Sequence, residues 1–402
     1  MGKDRTEIDK TFAMAINIRR LPLLTRIIIA IATGTLIGLT APDVLVRVMN
    51  TFCSVFSQLL GFMIPLIIVG LVTPAIARVG RGAGRMLGIT ALLAYTFTVL
   101  SGLFAYGFST ALFPWMVDAS AVSDLQTEGQ EFAPYFTIKI APLMEVMTAL
   151  VASFMLGLGI AAFEARQLQG IFEEFELIVT RTISKVIIPL LPLFIFGLFM
   201  DMAASGKVGP VLMAFIKIIA VIFIMTLVLL ILQYAVAGIV TRRNPLKCLA
   251  KMLPAYFTAL GTSSSAATIP VTLKQVQENG VRPEIAGFVV PLCATIHLSG
   301  STLKITSCAI ALLMMQGLPV DFLQMAGFVL MLGVTMVAAP GVPGGAIMPA
   351  LGLLESLLGF DASQQAMMIT LYIAMDSFGT ACNVTGDGAI ALIMDKISKT
   401  KE

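Results

Sequence analysis

Residues 21–42, 52–77, 86–116, 140–163, 177–203 and 209–240 are successive apolar runs of roughly bilayer length. No other feature limits the fold so strongly. About 20 mostly apolar residues suffice to cross the hydrocarbon core as a helix. Inside that core no water bonds the backbone, so each crossing segment must satisfy its own N–H and C=O groups. The chain is therefore expected to be an all-α polytopic membrane protein, with the lipid bilayer as its first partner. Composition agrees: 58% of the 402 residues are hydrophobic and 12% charged, against about 25% charged in soluble domains. A net charge of +3 is too small to point to nucleic acid. The polar start, "MGKDRTEIDKTFAMAINIRR", lacks the basic-then-apolar pattern of a cleaved signal, so none is expected. Cys53, Cys248, Cys293, Cys308 and Cys382 form no ligand spacing and read as packing residues.

After residue 240 the pattern changes. Apolar sequence continues, but "GTSSSAATIP", "CATIHLSGST" and "AAPGVPGGAIMP" interrupt it. The runs flanking the first and third breaks are near half a bilayer each. That predicts re-entrant helical hairpins over about 250–280 and 323–358. Irregular backbone at membrane depth is tolerated where it is buried in protein or lines a cavity. Transporters bind cargo at such broken helices. Lys and Arg concentrate in the N-terminus, in "RVGRGAGR", "EARQLQGIFEEFE", "TRRNPLKCLAK" and "KQVQENGVRPE", and in the tail. The loop "DASAVSDLQTEGQE" has acids alone. The positive-inside rule then places both termini in the cytoplasm, with eight full spans besides the two hairpins.

The stretch "MDSFGTACNVTGD" carries acids inside an apolar segment. Taken as one helix, it puts Asp376, Thr380, Asn383 and Asp387 on a single face. Intramembrane carboxylates are functional by default, because burial of an unpaired charge is costly. Asn383 and Asp387 lie one turn apart and offer hard oxygen ligands, suited to Na⁺ rather than a thiophilic metal. Asp376 suits a substrate ammonium. The hairpin tip Ser263, Ser264, Ser265 offers hydroxyls and N–H groups for a carboxylate. "GVPGG", from Gly341 through Val342 and Pro343, offers carbonyls and a flexible gate.

In order, "TSSSAATIPVT", "PLCATIHLSGS", "GVPGGAIM" and "NVTGD" resemble the tip of the first hairpin, the unwound seventh helix, the tip of the second hairpin and the eighth helix of the dicarboxylate/amino acid:cation symporters. That family includes the glutamate and aspartate transporters. The resemblance covers about 250–396, with a looser match at "MIPLIIVGLV". It implies a homotrimer in a cell membrane, whose transport domain moves as an elevator. On that reading residues 1–20 are a cytoplasmic segment, 21–246 are mainly helices one to six, 247–396 form the transport-domain core, and 397–402 are a cytoplasmic tail. The resemblance also implies that Asp376 takes the substrate ammonium, and Asn383 with the backbone at Ser265 takes its carboxylate. Ser301, Thr380 and the 341–343 carbonyls complete the pocket. One Na⁺ would be held by Asp387, Asn383 and the carbonyls at Cys293 and His297. A second would use carbonyls near Thr295, Leu298 and Ala339.

Two departures sharpen this reading. Acidic-substrate members carry an arginine at positions that match Gly379 and Ser263 here. Its absence implies a neutral amino acid, with Gly379 leaving room for a side chain. The family's "NMDGT" reads "HLSGS", so His297 and Ser299 replace ion-site residues and a deep third sodium is lost or altered. His297, the single histidine, is either a satisfied core residue or a proton carrier in place of a cation. Lys304 either snorkels to an interface or replaces a missing sodium charge, with Asp376 or Asp387 as partner. The expected function is cation-coupled symport, by Na⁺ and/or H⁺, of a neutral amino acid. The alternatives are an acidic-substrate symporter with a substitute for the arginine, and an ion-conducting channel. No HExxH or paired-acid protease motif occurs, so an enzyme is not expected.

Overall fold

The computed structural model describes residues 23–81, 84–116, 132–206, 208–337, 339 and 344–399. The expected N-terminal segment, the acidic loop 118–131 and the last residues of the tail lie outside them. Among the described residues every regular element is a helix. The outer helices are α1 (Leu23–Gly38), α2 (Asp43–Arg81), α3 (Gly84–Met116), α4 (Val146–Ala162), α5 (Arg166–Thr182), α6 (Ile188–Ala204) and α7 (Val208–Thr241). A π-helical turn at Ile183–Ile187 joins α5 to α6 without a break. Then follow α8 (Pro245–Lys251), α9 (Leu253–Thr262), α10 (Ser265–Glu278), α11 (Pro283–Ile296), α12 (Ser299–Met315), α13 (Phe322–Met336), α14 (Ile347–Leu358), α15 (Ala362–Ala374) and α16 (Asp376–Lys399).

Five helical runs are long and apolar enough to cross a membrane: Asp43–Arg78, Met86–Trp115, Arg166–Ala204, Val211–Thr241 and Pro283–Met315. The expected spans 21–42 and 140–163 shrink to helices of 16 and 17 residues. The second loses its start because the chain ahead of it runs extended along α2. There Asn50 donates to the Phe132 carbonyl at 2.8 Å and the Thr51 hydroxyl accepts the Tyr135 amide at 3.0 Å. "EARQLQGIFEEFE", expected as a loop, is instead the start of α5. Its Phe175 and Val179 sit against Gly70 of α2, a core contact that a solvated loop would lack.

Both half-length helix pairs are present. α9 ends where Ser263 turns left-handed, at φ 50°, and α10 starts where the Ser264 side chain caps the Ala267 amide. At 15 Å for ten residues, α9 is about half a bilayer long. α13 and α14 pack on each other likewise. The polar stripe Asp376, Thr380, Asn383 and Asp387 lies on one helix, α16, as expected, and the stripe starts at that helix's first residue. Met375 separates α15 from α16, so Asp376 opens a helix instead of lying inside one.

The helices sort into an outer and an inner group. α2 packs with α4, α1 with α6, and α3 against α12. α16 sits at the centre, touching α7, α9, α10, α11 and α12. Burial follows the same order: 89% of the most apolar stretch of Pro283–Met315 is covered, but 44% of that of Met86–Trp115. The inner run is also the less apolar of the two. Polar residues are therefore gathered inside, as a site demands and a lipid-facing surface does not.

Candidate functional site

Helix ends converge where the sequence breaks. α12 starts at Ser299, α16 at Asp376 and α10 at Ser265, all after interruptions in buried sequence. A helix N-terminus carries free N–H groups and partial positive charge, and a C-terminus the reverse. Asp376 lies in the first turn of α16 and is 7% exposed. One of its oxygens accepts the Gly344 amide at 2.8 Å. The other lies 3.6 Å from the Lys304 ammonium. Lys304 is fully buried, so the expected alternative of snorkelling is set aside. Its ammonium also donates to the Met375 carbonyl at 3.2 Å, at the end of α15, and lies 3.9 Å from the centre of the Tyr372 ring. Carboxylate, carbonyl and π face together form a three-sided ammonium cage.

Gly379 explains how the lysine fits. A Cβ there would lie 2.3 Å from Lys304 Cε and 2.4 Å from its ammonium. The expectation that Gly379 leaves room for a substrate side chain is corrected: the space is filled by Lys304.

Asn383 faces the start of α12. Its carbonyl oxygen accepts the amides of Gly300 at 2.8 Å and Ser301 at 3.4 Å. Its amide donates to the Ser301 hydroxyl at 3.2 Å, which also accepts from Tyr372 at 3.1 Å. Ser301, Tyr372 and Asn383 thus form one network beside the Lys304 cage. At the first hairpin tip the Ser263 hydroxyl meets Ser377 at 2.9 Å. Ser265 and Thr380 are buried nearby in sequence to these contacts, at 8% and 6% exposure. Gly341, Val342 and Pro343 lie outside the described residues, which resume at Gly344.

One turn or more further along α16 is a second buried pair. His297 Nδ1 lies 2.8 Å from an Asp387 oxygen, with both side chains closed to solvent. Its Nε2 and the Gln233 carbonyl oxygen have no hydrogen-bond partner among the described residues. His297 Cε1 and the Gln233 side-chain oxygen crowd the space above Gly386, where a Cβ would lie 2.7 and 2.6 Å from them. Ser299 is tied by neutral bonds: its hydroxyl accepts from Gln233 at 3.0 Å and its carbonyl from Ser101 at 2.8 Å. Of the other expected cation ligands, the Cys293 carbonyl accepts the His297 amide at 2.9 Å and the Leu298 carbonyl the Thr302 amide at 2.9 Å. The Thr295 hydroxyl turns back to the Leu292 carbonyl, and the Ala339 amide donates to the Met336 carbonyl. Asp387 itself offers carboxylate oxygen, the donor type of a hard monovalent cation, and one of its oxygens is taken by His297.

The pattern of the Sodium:dicarboxylate symporter family matches residues 23–397, nearly the whole chain. The chain belongs to this family. It is a multi-pass membrane symporter and not an enzyme, in a family whose members couple transport of amino acids or dicarboxylates to cations. Among curated relatives, the serine/threonine transporter SstT of Acinetobacter baumannii (strain ATCC 17978) is 28% identical over 395 residues, 94% of this chain and 97% of its own. Excitatory amino acid transporter 1 of Rattus norvegicus is 29% identical over 241 residues, 59% of this chain and 44% of its own.

Sequence reasoning missed Tyr372, Gln233 and Ser377 as site neighbours. Gln233 had a signal: it stands with Tyr234 in the apolar run of α7, and Tyr234 donates to the Thr385 carbonyl at 2.8 Å. Ser377 gave none, since its partner Ser263 comes from a distant hairpin tip, and Gly344 was named within "GVPGG" for flexibility, not for the amide it gives Asp376.

Proposed function

We propose that this symporter carries a neutral amino acid, of serine or threonine size, driven by Na⁺ and/or H⁺. The observation that carries this reading is the Lys304–Asp376 cage beside the Asn383–Ser301 network. One side can receive an ammonium at Asp376. On the other, the α12 amides and the Asn383 amide, now bonded to one another, would exchange partners to take a carboxylate. The 28% identity to a serine/threonine transporter over 94% of the chain supports a neutral cargo. Asp387, with nearby carbonyls and His297, is where the coupled cation would bind. The inner helices would form the moving transport domain and the outer ones the scaffold, as an elevator in a homotrimer with both termini cytoplasmic.

A second reading has an observation in its favour. The Lys304 ammonium lies where a side chain at 379 would start, so it could stand in for the arginine of acidic-substrate relatives. Its three partners weigh against this, because they already absorb its charge.

Uptake into proteoliposomes of the full chain decides between them. The amino acids and four-carbon dicarboxylates are screened under inward Na⁺ and H⁺ gradients. Gradient-dependent accumulation of a neutral amino acid, with weak competition by aspartate and glutamate, is expected. Accumulation of acidic cargo alone overturns the neutral reading. Conductance without accumulation overturns the symport reading in favour of a pore.

A further inference from the structure

We propose that Lys304 is the specificity-determining residue of the pocket: a tethered ammonium, seated at Asp376 over Gly379, that excludes cationic substrates and selects zwitterions. This rests on the reading of the site as an amino-acid pocket and adds to it the charge class of the cargo.

Three observations converge. The ammonium lies 3.6 Å from Asp376 and 3.2 Å from the Met375 carbonyl, over the Tyr372 ring. That is the environment a free ammonium ligand would seek, and the chain fills it with its own side chain. Lys304 and Tyr372 are almost fully buried, at 0% and 2% exposure, so their interaction is weakly screened. Gly379 makes the seat available, since any Cβ there collides with the ammonium.

The selectivity follows from charge. Asp376 and Lys304 sum to zero. A zwitterion brings an ammonium that shares Asp376 and a carboxylate that draws toward Lys304, so its two interactions offset. A substrate with a second ammonium brings an uncompensated positive charge next to Lys304, in a site too dry to screen it. An amino acid with a second carboxylate would bring an uncompensated negative charge into a pocket whose own charges sum to zero, beside Asp376. Discrimination here is repulsion built into the empty pocket, and size plays no part in it.

A series of four-carbon amino acids tests this, because size is nearly constant while charge changes. Threonine is neutral overall, aspartate negative and 2,4-diaminobutyrate positive. Each is titrated against the detergent-solubilised full chain, followed by thermal shift, at saturating Na⁺. Wild type is expected to bind threonine and to reject 2,4-diaminobutyrate. In Lys304→Met the ratio of the two affinities moves at least about tenfold toward 2,4-diaminobutyrate, a shift of about 1.4 kcal/mol. Gly379→Ala keeps the charge but displaces it from Asp376, so it shifts the ratio the same way by less. It serves if Lys304→Met does not fold. A merely structural lysine would weaken all three ligands alike and leave the ratio in place, which overturns the proposal. Wild type that prefers aspartate, and loses it in Lys304→Met, also overturns it and makes Lys304 the arginine substitute. Wild type that binds threonine with an unchanged ratio in both variants sinks the role of Lys304 alone. Wild type that binds none of the three sinks the amino-acid reading and this proposal together.

Discussion

Two buried acid–base pairs lie along α16, and they are built differently. His297 and Asp387 close on each other at 2.8 Å, both sealed from solvent. Lys304 and Asp376 stand 3.6 Å apart, and the Asp376 side chain is 10% exposed. Around the first pair the neighbours are side chains of long helices, Gln233 on α7 and Phe97 on α3. Around the second they are helix ends and a hairpin tip: Met375, Gly344 and Tyr372. His297 itself stands in the gap between α11 and α12, but the side chains that wall it in are fixed on continuous helices. A pair held by helix ends can open when a tip moves. The difference leaves the Asp376 end the more open of the two and the Asp387 end the more enclosed.

The comparison can be broken at four points. The largest effect is expected from Asp376→Ala. Removing one partner of a buried charge pair costs about 2–5 kcal/mol, so amino-acid affinity should fall at least about thirtyfold. Titration by thermal shift checks it, and unchanged affinity removes the ammonium seat. His297→Asn comes next. It should leave substrate selectivity in place but move the Na⁺ or pH dependence of uptake by at least about fivefold, a typical coupling between linked sites. If both dependences match wild type, His297 is a packing residue. Gly386→Ala should lower stability by about 1–3 kcal/mol, since its Cβ meets His297 and Gln233 in a closed space. Thermal unfolding in detergent measures this, and no loss would show that the Asp387 end is looser than its geometry. The smallest effect is expected outside the core. Arg78 and Glu176 pair at 2.7 Å with side chains 47% and 28% exposed, so Arg78→Ala should cost less than about 1 kcal/mol. A larger loss would mean that the outer helices depend on ion pairs as the inner ones do.

How much of this was legible in the sequence depends on the range of the contact. The apolar runs and Ser- and Pro-rich breaks gave the helices and both hairpin pairs, because hydrophobic length and turn chemistry are local. Asp376, Asn383 and Asp387 stood out because a carboxylate in apolar sequence is conspicuous whatever surrounds it. The amphipathic start of α5 was hidden by its charges, Arg166, Glu173 and Glu174, which resemble a loop. The break at Met375 was hidden because no Gly or Pro marks it. The partner of Lys304 stayed open between Asp376 and Asp387, since helix periodicity on one segment says nothing of which distant helix end meets it. Gly379 was the instructive case. An absent side chain was read as free volume, but a residue on another helix had already claimed that volume.

That shared volume also constrains how the chain can change over generations. With Lys304 in place, position 379 cannot acquire even a methyl group without displacing the ammonium from Asp376. With Gly379 in place, shortening Lys304 leaves a void and a bare carboxylate. Neither step is harmless alone, so the two positions are locked as a pair. A cation introduced at 379 therefore requires a change at Lys304 as well.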